Sequence, residues 1–195
     1  MSYSYKKILS KATTAANIVL DEMLSKPNKE PLYTDDIKKI IEDRFKVDIE
    51  IKSTSFKHFE CPACNAGAFM CRKKNKFVIL VNTDKSAAFQ RFSIIHEMGH
   101  IATGCLVNDK QNAWIISTDI SYGVSKGPIK DKNQAYEVMA NIFALKVIIP
   151  MDMLLEQIKV GKGIKYIASY FITDADTILA RIRLGDILWK KSLKI

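Results

Sequence analysis

Histidine is scarce in this chain, with three in 195 residues. Cysteine is nearly as rare, and the four present (Cys61, Cys64, Cys71, Cys105) are too few for a disulfide scaffold. They fit a compartment that keeps thiols reduced. Glycine and proline number eight and five, which excludes collagen-like and low-complexity chains. Long apolar runs are missing too. The longest, such as Phe77–Val81, are strand-sized, and the first twenty residues carry Lys6, Lys7 and Lys11 without an apolar stretch. Neither a membrane span nor a signal peptide is expected, and the protein is predicted to be cytoplasmic. What remains is globular composition, 48% hydrophobic and 26% charged, in 22.1 kDa. That length accommodates about one domain with a real core.

The formal charge of +9 is local rather than general. It gathers in Arg72-Lys73-Lys74-Asn75-Lys76 and in the segment after residue 151. The plainer reading is a solvated turn and exposed helix faces. The sharper alternative is attraction to an acidic partner or nucleic acid.

Periodicity predicts a helix over 4–26, where Ile8, Ala12, Ala15, Ala16, Val19, Leu20 and Met23 recur at helical spacing. Thr34 is expected to cap a second helix bearing Ile37, Ile40, Ile41 and Phe45. Strands are expected at Val47–Ile51, Gly67–Cys71 and Phe77–Val81. Two long, nearly apolar helices follow, over Ser86–Thr103 and Asp131–Ile149, the second stopped by Pro150. Shorter helices are expected at 151–159, 163–171 and 174–185, the last capped by Thr173, with Ile178, Leu179, Ile182 and Ile187 turned inward. The fold class is α+β. The expected division is an N-terminal helix over 1–31, a core over 32–150, and a C-terminal helical appendage over 151–195 packed on that core.

His96-Glu97-Met98-Gly99-His100 fits the pattern His-Glu-x-x-His. Four residues make about one helical turn, so both imidazoles project from one face and can reach one metal ion at about 2.0–2.1 Å. Glu97 then lies beside the ion, placed to take a proton from water. The neighbours Phe89, Phe92, Ile94, Ile95, Met98, Ile101 and Ala102 nearly encircle this helix. Three titratable groups within one turn of a buried helix need compensation, and a divalent cation is the simplest. The plainer alternative is a set of core histidines without a ligand.

Catalytic zinc takes three protein ligands and keeps a fourth position open. A third histidine at 106 would follow a glycine at 103 in one zinc-peptidase pattern, but Thr103 and Leu106 stand there. A carboxylate from a second helix is the other route. Glu137 is the one glutamate between Glu97 and Glu156, on a helix otherwise charged only at Lys146 between 134 and 149. Its plainer role is an ion pair with Lys132 or Lys146. Asp109, Asp119 and Asp131, on expected loops, are weaker competitors. Asn141 lies one turn beyond Glu137 and is placed to hydrogen-bond the second nitrogen of a ligand histidine.

Phe92–His100, together with Glu137–Ala144 and Ile148-Ile149-Pro150, resembles the ImmA/IrrE family of metallopeptidases. Phe77–Asn82 resembles that family's edge strand above the zinc helix, and Tyr170–Ala175 with Arg181–Gly185 its closing helix pair. The resemblance spans about 32–186 and is strongest over 77–150. It implies a zincin-like domain, with a small mixed sheet packed on the His-Glu-x-x-His helix. It implies one catalytic zinc held gluzincin-fashion by His96, His100 and Glu137, with Glu97 as general base. It also implies cleavage of a separate helix-turn-helix repressor, in the regulation of a mobile element, a prophage or a stress response. Tyr122 and His58 are candidate transition-state stabilisers.

His58, Cys61, Cys64 and Cys71 have zinc-ligand spacing, a candidate second, structural metal site. Their plainer role is as free thiols, or as a Cys61/Cys64 redox pair. The segments 164–171 and 174–184 also read as helix-turn-helix, the alternative to two helices packed on the domain. The function expected is therefore that of a zinc metalloendopeptidase acting on a protein. The alternatives are a non-proteolytic module binding a repressor or DNA through its basic C-terminal helices, and a toxin-like enzyme acting on a host protein.

Overall fold

The computed structural model describes residues 4–25, 30–57, 67–73, 75–104 and 131–192, with residues 24, 73 and 186–192 described by backbone alone. Its elements in chain order are α1 (Tyr5–Leu24), α2 (Thr34–Phe45), β1 (Asp48–Thr54), β2 (Ala68–Lys73), β3 (Lys76–Asn82), α3 (Ala87–Thr103), α4 (Lys132–Ile148), α5 (Met151–Lys159), α6 (Ile164–Tyr170) and α7 (Ala175–Ser192). The fold is α+β, as the periodicities predict.

The sheet order is β1-β3-β2, with β1 parallel and β2 antiparallel to β3. β3 is thus the central strand, and the expectation that Phe77–Asn82 forms an edge is corrected. β2 is an edge instead. Phe77, Ile79 and Val81 of β3 are buried and its backbone pairs on both sides, a position set by pairing between segments. β3 and β2 lie against α3, α3 against α4, and α4 against α1. One continuous core joins Ile8, Ala12, Val19 and Met23 of α1 to Ile79, Met98, Ile142, Phe143 and Leu145, and on to Ile167, Phe171, Ile178 and Leu184. A second, smaller cluster stacks Phe56 on Phe69, with ring centroids 4.6 Å apart and Leu80 alongside.

Local chemistry sets the helix ends. The Ser86 hydroxyl accepts from Phe89 N–H at 3.3 Å and opens α3. Gly104 closes it at φ 61°, a left-handed conformation that glycine adopts without Cβ strain, and its N–H donates to Ile101 O at 3.0 Å. Asp131 opens α4 by accepting from Gln134 N–H at 2.8 Å. Two expected caps are displaced by one residue. At α2 the cap is Tyr33, whose N–H donates to Asp36 Oδ2 at 3.2 Å, and Thr34 is already helical. At α7 Asp174, not Thr173, accepts from Thr177 N–H at 2.8 Å and from its hydroxyl at 2.7 Å. At α7 a carboxylate takes the first-turn amide, and at α2 the N3 carboxylate reaches back to the N–H of the cap residue.

The inner face of α7 carries Thr177, Ile178, Ala180, Arg181 and Leu184. Leu179, expected inward, is 39% exposed. Ile182 is half-buried, and the side chain of Ile187 lies outside the described residues. No single described helix is long and apolar enough to cross a membrane. α4 and α5 reach that length only together, across a 49° bend, and α4 is a core helix.

Candidate metal centre

α3 is buried from Arg91 to Thr103 except at half-buried Ile94. His96, Glu97 and His100 have no exposed surface. α4 crosses beside it, also nearly all buried, and half-buried Glu137 is its only acid. The two helices approach closely because of Gly99. A Cβ there would lie 2.9 Å from Phe143 Cδ1 and 3.1 Å from both Cα and O of Ala140. That contact, midway between Glu137 and Phe143, brings the Glu137 carboxylate onto the His96/His100 face.

His100 Nε2 lies 3.1 Å from His96 Nε2. Glu137 Oε2 lies 3.2 Å from His96 Nε2, and Oε1 lies 3.4 Å from His100 Nε2. One ligand atom from each residue falls within 4.8 Å of the others, a grouping that could hold a metal ion. Among the described residues it is the one such group of three. Burial pushes the Glu137 carboxyl upward. Its hydrogen bonds to His100 and His96, and their charge, outweigh that and bring it to about 2. Glu137 is therefore an anion at any physiological pH.

The other nitrogen of His96, Nδ1, is 2.7 Å from Asn141 Oδ1. A carbonyl oxygen only accepts, so Nδ1 carries a proton, which leaves Nε2 as the nitrogen that would offer a lone pair to a metal held at the centre. Asn141 is 2% exposed, on the turn of α4 that follows Glu137. Neither carboxylate oxygen of Glu97 has a hydrogen-bond partner among the described residues. Burial, then the charge of Glu137, raise its pKa well above the usual carboxylate range.

Of the residues expected at the site, His96, His100, Glu137 and Asn141 come together, with Glu97 beside them. Tyr122, His58, Cys61 and Cys64 lie outside the described residues, as do the competing Asp109 and Asp119. Asp131 serves as the cap of α4. Cys71 is an exposed free cysteine on β2. Its thiol is raised by partial burial and by the charge of Glu97.

Three contributors were missed in the sequence. Arg91, buried, donates from Nη1 to Phe171 O at 3.0 Å and Ile172 O at 3.3 Å, and from Nη2 to Leu32 O at 2.6 Å. Arg181 donates from Nε to Ile149 O at 2.9 Å beyond the end of α4. Gly99 sets the helix approach. The available signal was a charged residue or a glycine inside an otherwise apolar helical run.

A His-Glu-x-x-His helix joined by a carboxylate from a second buried helix, beneath a small mixed sheet, is a metallopeptidase-type arrangement. Residues 43–183, well over half of the chain, match the family model of the peptidase M78 or IrrE N-terminal-like domain, and the chain belongs to that family. No curated protein matches it.

Proposed function

We propose that the protein is a zinc-dependent metalloendopeptidase, with His96, His100 and Glu137 as metal ligands and Glu97 as general base. The convergence of the two Nε2 atoms and the Glu137 carboxylate is the observation that carries this reading. Four ligands at about 2.0–2.1 Å in a tetrahedron stand about 3.3–3.4 Å apart. The Nε2–Nε2 separation of 3.1 Å and the His96 Nε2–Glu137 Oε2 separation of 3.2 Å are close to that spacing, while His100 Nε2 lies 3.4 Å from the other carboxylate oxygen. Two imidazoles and one carboxylate form a donor set that suits zinc and leaves a fourth position open.

Zinc held there supplies Lewis acidity to water and to the scissile carbonyl. The chain supplies the rest. Asn141 holds His96 in the tautomer that presents Nε2. Glu97, with its raised pKa, accepts a proton from the attacking water and returns it to the departing amine.

The substrate we infer is a separate helix-turn-helix repressor, the reading supported by family membership. A DNA-binding role for the tail has less support. The exposed face of α7 shows Asp176, Leu179 and Arg183, while Arg181 is turned inward onto Ile149.

The test is metal content and cleavage in three variants, with a helix-turn-helix repressor as substrate. Glu97→Gln is expected to keep the metal and lose about 10²–10⁴-fold in rate. His96→Ala and Glu137→Ala are expected to lose the metal itself. Cleavage by Glu97→Gln at the wild-type rate would falsify the base assignment. Repressor bound but never cut by wild type would favour a non-proteolytic module.

A further inference from the structure

Ser93 lies one helical turn before Glu97 on α3, and both side chains are fully buried. Residues four apart on a helix are neighbours, with Cβ atoms about 5–6 Å apart. Helical side chains lean toward the N-terminus, so the Glu97 carboxylate inclines over the turn that carries Ser93. The Ser93 hydroxyl and both Glu97 oxygens lack hydrogen-bond partners among the described residues.

The start of β2 closes over this turn. A Cβ on Gly67 would fall 1.9 Å from Ser93 Oγ, 2.5 Å from Phe89 Cε1 and 2.8 Å from Ser93 Cβ. The backbone at 67 therefore presses directly on the serine, and a glycine is what lets it do so. Further along the same strand, the thiol of Cys71 is raised in part by the charge of Glu97. A hydroxyl has a proton to donate and an ionised carboxylate can only accept, so the two unmet demands are complementary.

We propose that Ser93 is a positioning residue for Glu97: its hydroxyl donates to the carboxylate and fixes the orientation from which Glu97 handles the proton of water. The two groups are not bonded to each other in the structure, and the proposed bond requires a change of side-chain torsion at Ser93 or Glu97. The inference rests on the reading of Glu97 as base, and its test does not use cleavage.

A double-mutant cycle in the zinc-loaded full chain, read by urea unfolding, compares wild type, Ser93→Ala, Glu97→Ala and the double variant. Ser93→Ala is expected to lower the urea midpoint in the wild-type background. In the Glu97→Ala background at most about a third of that shift should remain, because the acceptor is gone. A merely structural serine would give equal shifts in both backgrounds, and that result would overturn the proposal. Should Ser93→Ala not fold, Ser93→Cys, of similar shape and a weaker donor, takes its place in the same cycle. An uncoupled cycle beside an inactive Glu97→Gln removes Ser93 alone. An active Glu97→Gln removes the base reading, and with it this one, whatever the cycle shows.

Discussion

Glu97, Arg91 and Lys146 are all ionisable groups withdrawn from water, and they are compensated in different ways. Arg91 spends its guanidinium on three backbone carbonyls. Glu97 has no such donors among the described residues, and burial, then the charge of Glu137, raise its pKa. Lys146 is the intermediate case. Burial, then the charge of Arg181, bring its ammonium down to about 8. Below that pH both folded and unfolded chains hold the proton, and the folded chain bears the whole penalty of a buried charge. Between about 8 and the ordinary lysine value near 10.5, the folded chain has released the proton and the unfolded chain has not. The contribution of Lys146 to stability therefore rises with pH across that window. Lys146→Met is expected to be more stable than wild type at pH 7, by about 2 kcal/mol. That advantage should shrink as pH rises toward 10. Urea midpoints of the two proteins at pH 7, 8.5 and 10 check this, and a constant difference would refute it.

Between elements, the decisive contact is that of α3 with α4. Each helix was legible in the sequence from its apolar run, Ser86–Thr103 for one and Asp131–Ile149, stopped by Pro150, for the other. Their approach was not. It depends on the absence of one Cβ at Gly99 against Ala140 and Phe143. Gly99→Ala regains helix propensity of about 1 kcal/mol but must push apart a packed interface. A net loss of about 1–2 kcal/mol is expected. Because Ala140 lies between Glu137 and Asn141, the same push moves the carboxylate off the histidine pair. The variant should therefore also bind zinc more weakly, which calorimetric titration would measure. Full zinc affinity with reduced stability would mean that the site tolerates the displacement. The strands repeat the lesson. Their alternation was readable, but β3 is central and β2 an edge because of pairings between segments, which alternation does not encode.

Across the whole molecule, Arg91 joins parts of the chain that the sequence presents as separate. Its guanidinium reaches Leu32, ahead of α2, and Phe171 and Ile172, between α6 and α7. Ile172 sits at φ 53°, a left-handed conformation that costs a β-branched residue about 1 kcal/mol or more. The hydrogen bond from Arg91 to its carbonyl helps to hold it there. Arg91→Met keeps the length of the side chain but strands three carbonyls. It is expected to cost about 2–4 kcal/mol. The loss should appear as protease sensitivity at the α6–α7 turn well before the core opens. Equal loss of protection throughout the chain, seen by hydrogen exchange, would contradict this linking role.

The sequence by itself determined the class of the fold, the two long helices and the chemistry of His96, Glu97 and His100, since these depend on spacing within one turn. It also marked Glu137 and Asn141, as polar exceptions on an apolar helix. Only the tertiary structure decided that Glu137 turns to the histidines, that Asn141 selects the tautomer of His96, and that Ser93 and Gly67 lie against each other beside Glu97. Those outcomes depend on contacts between residues far apart in the chain. Helical and strand periodicity record which side of an element is apolar, but not which neighbour it meets.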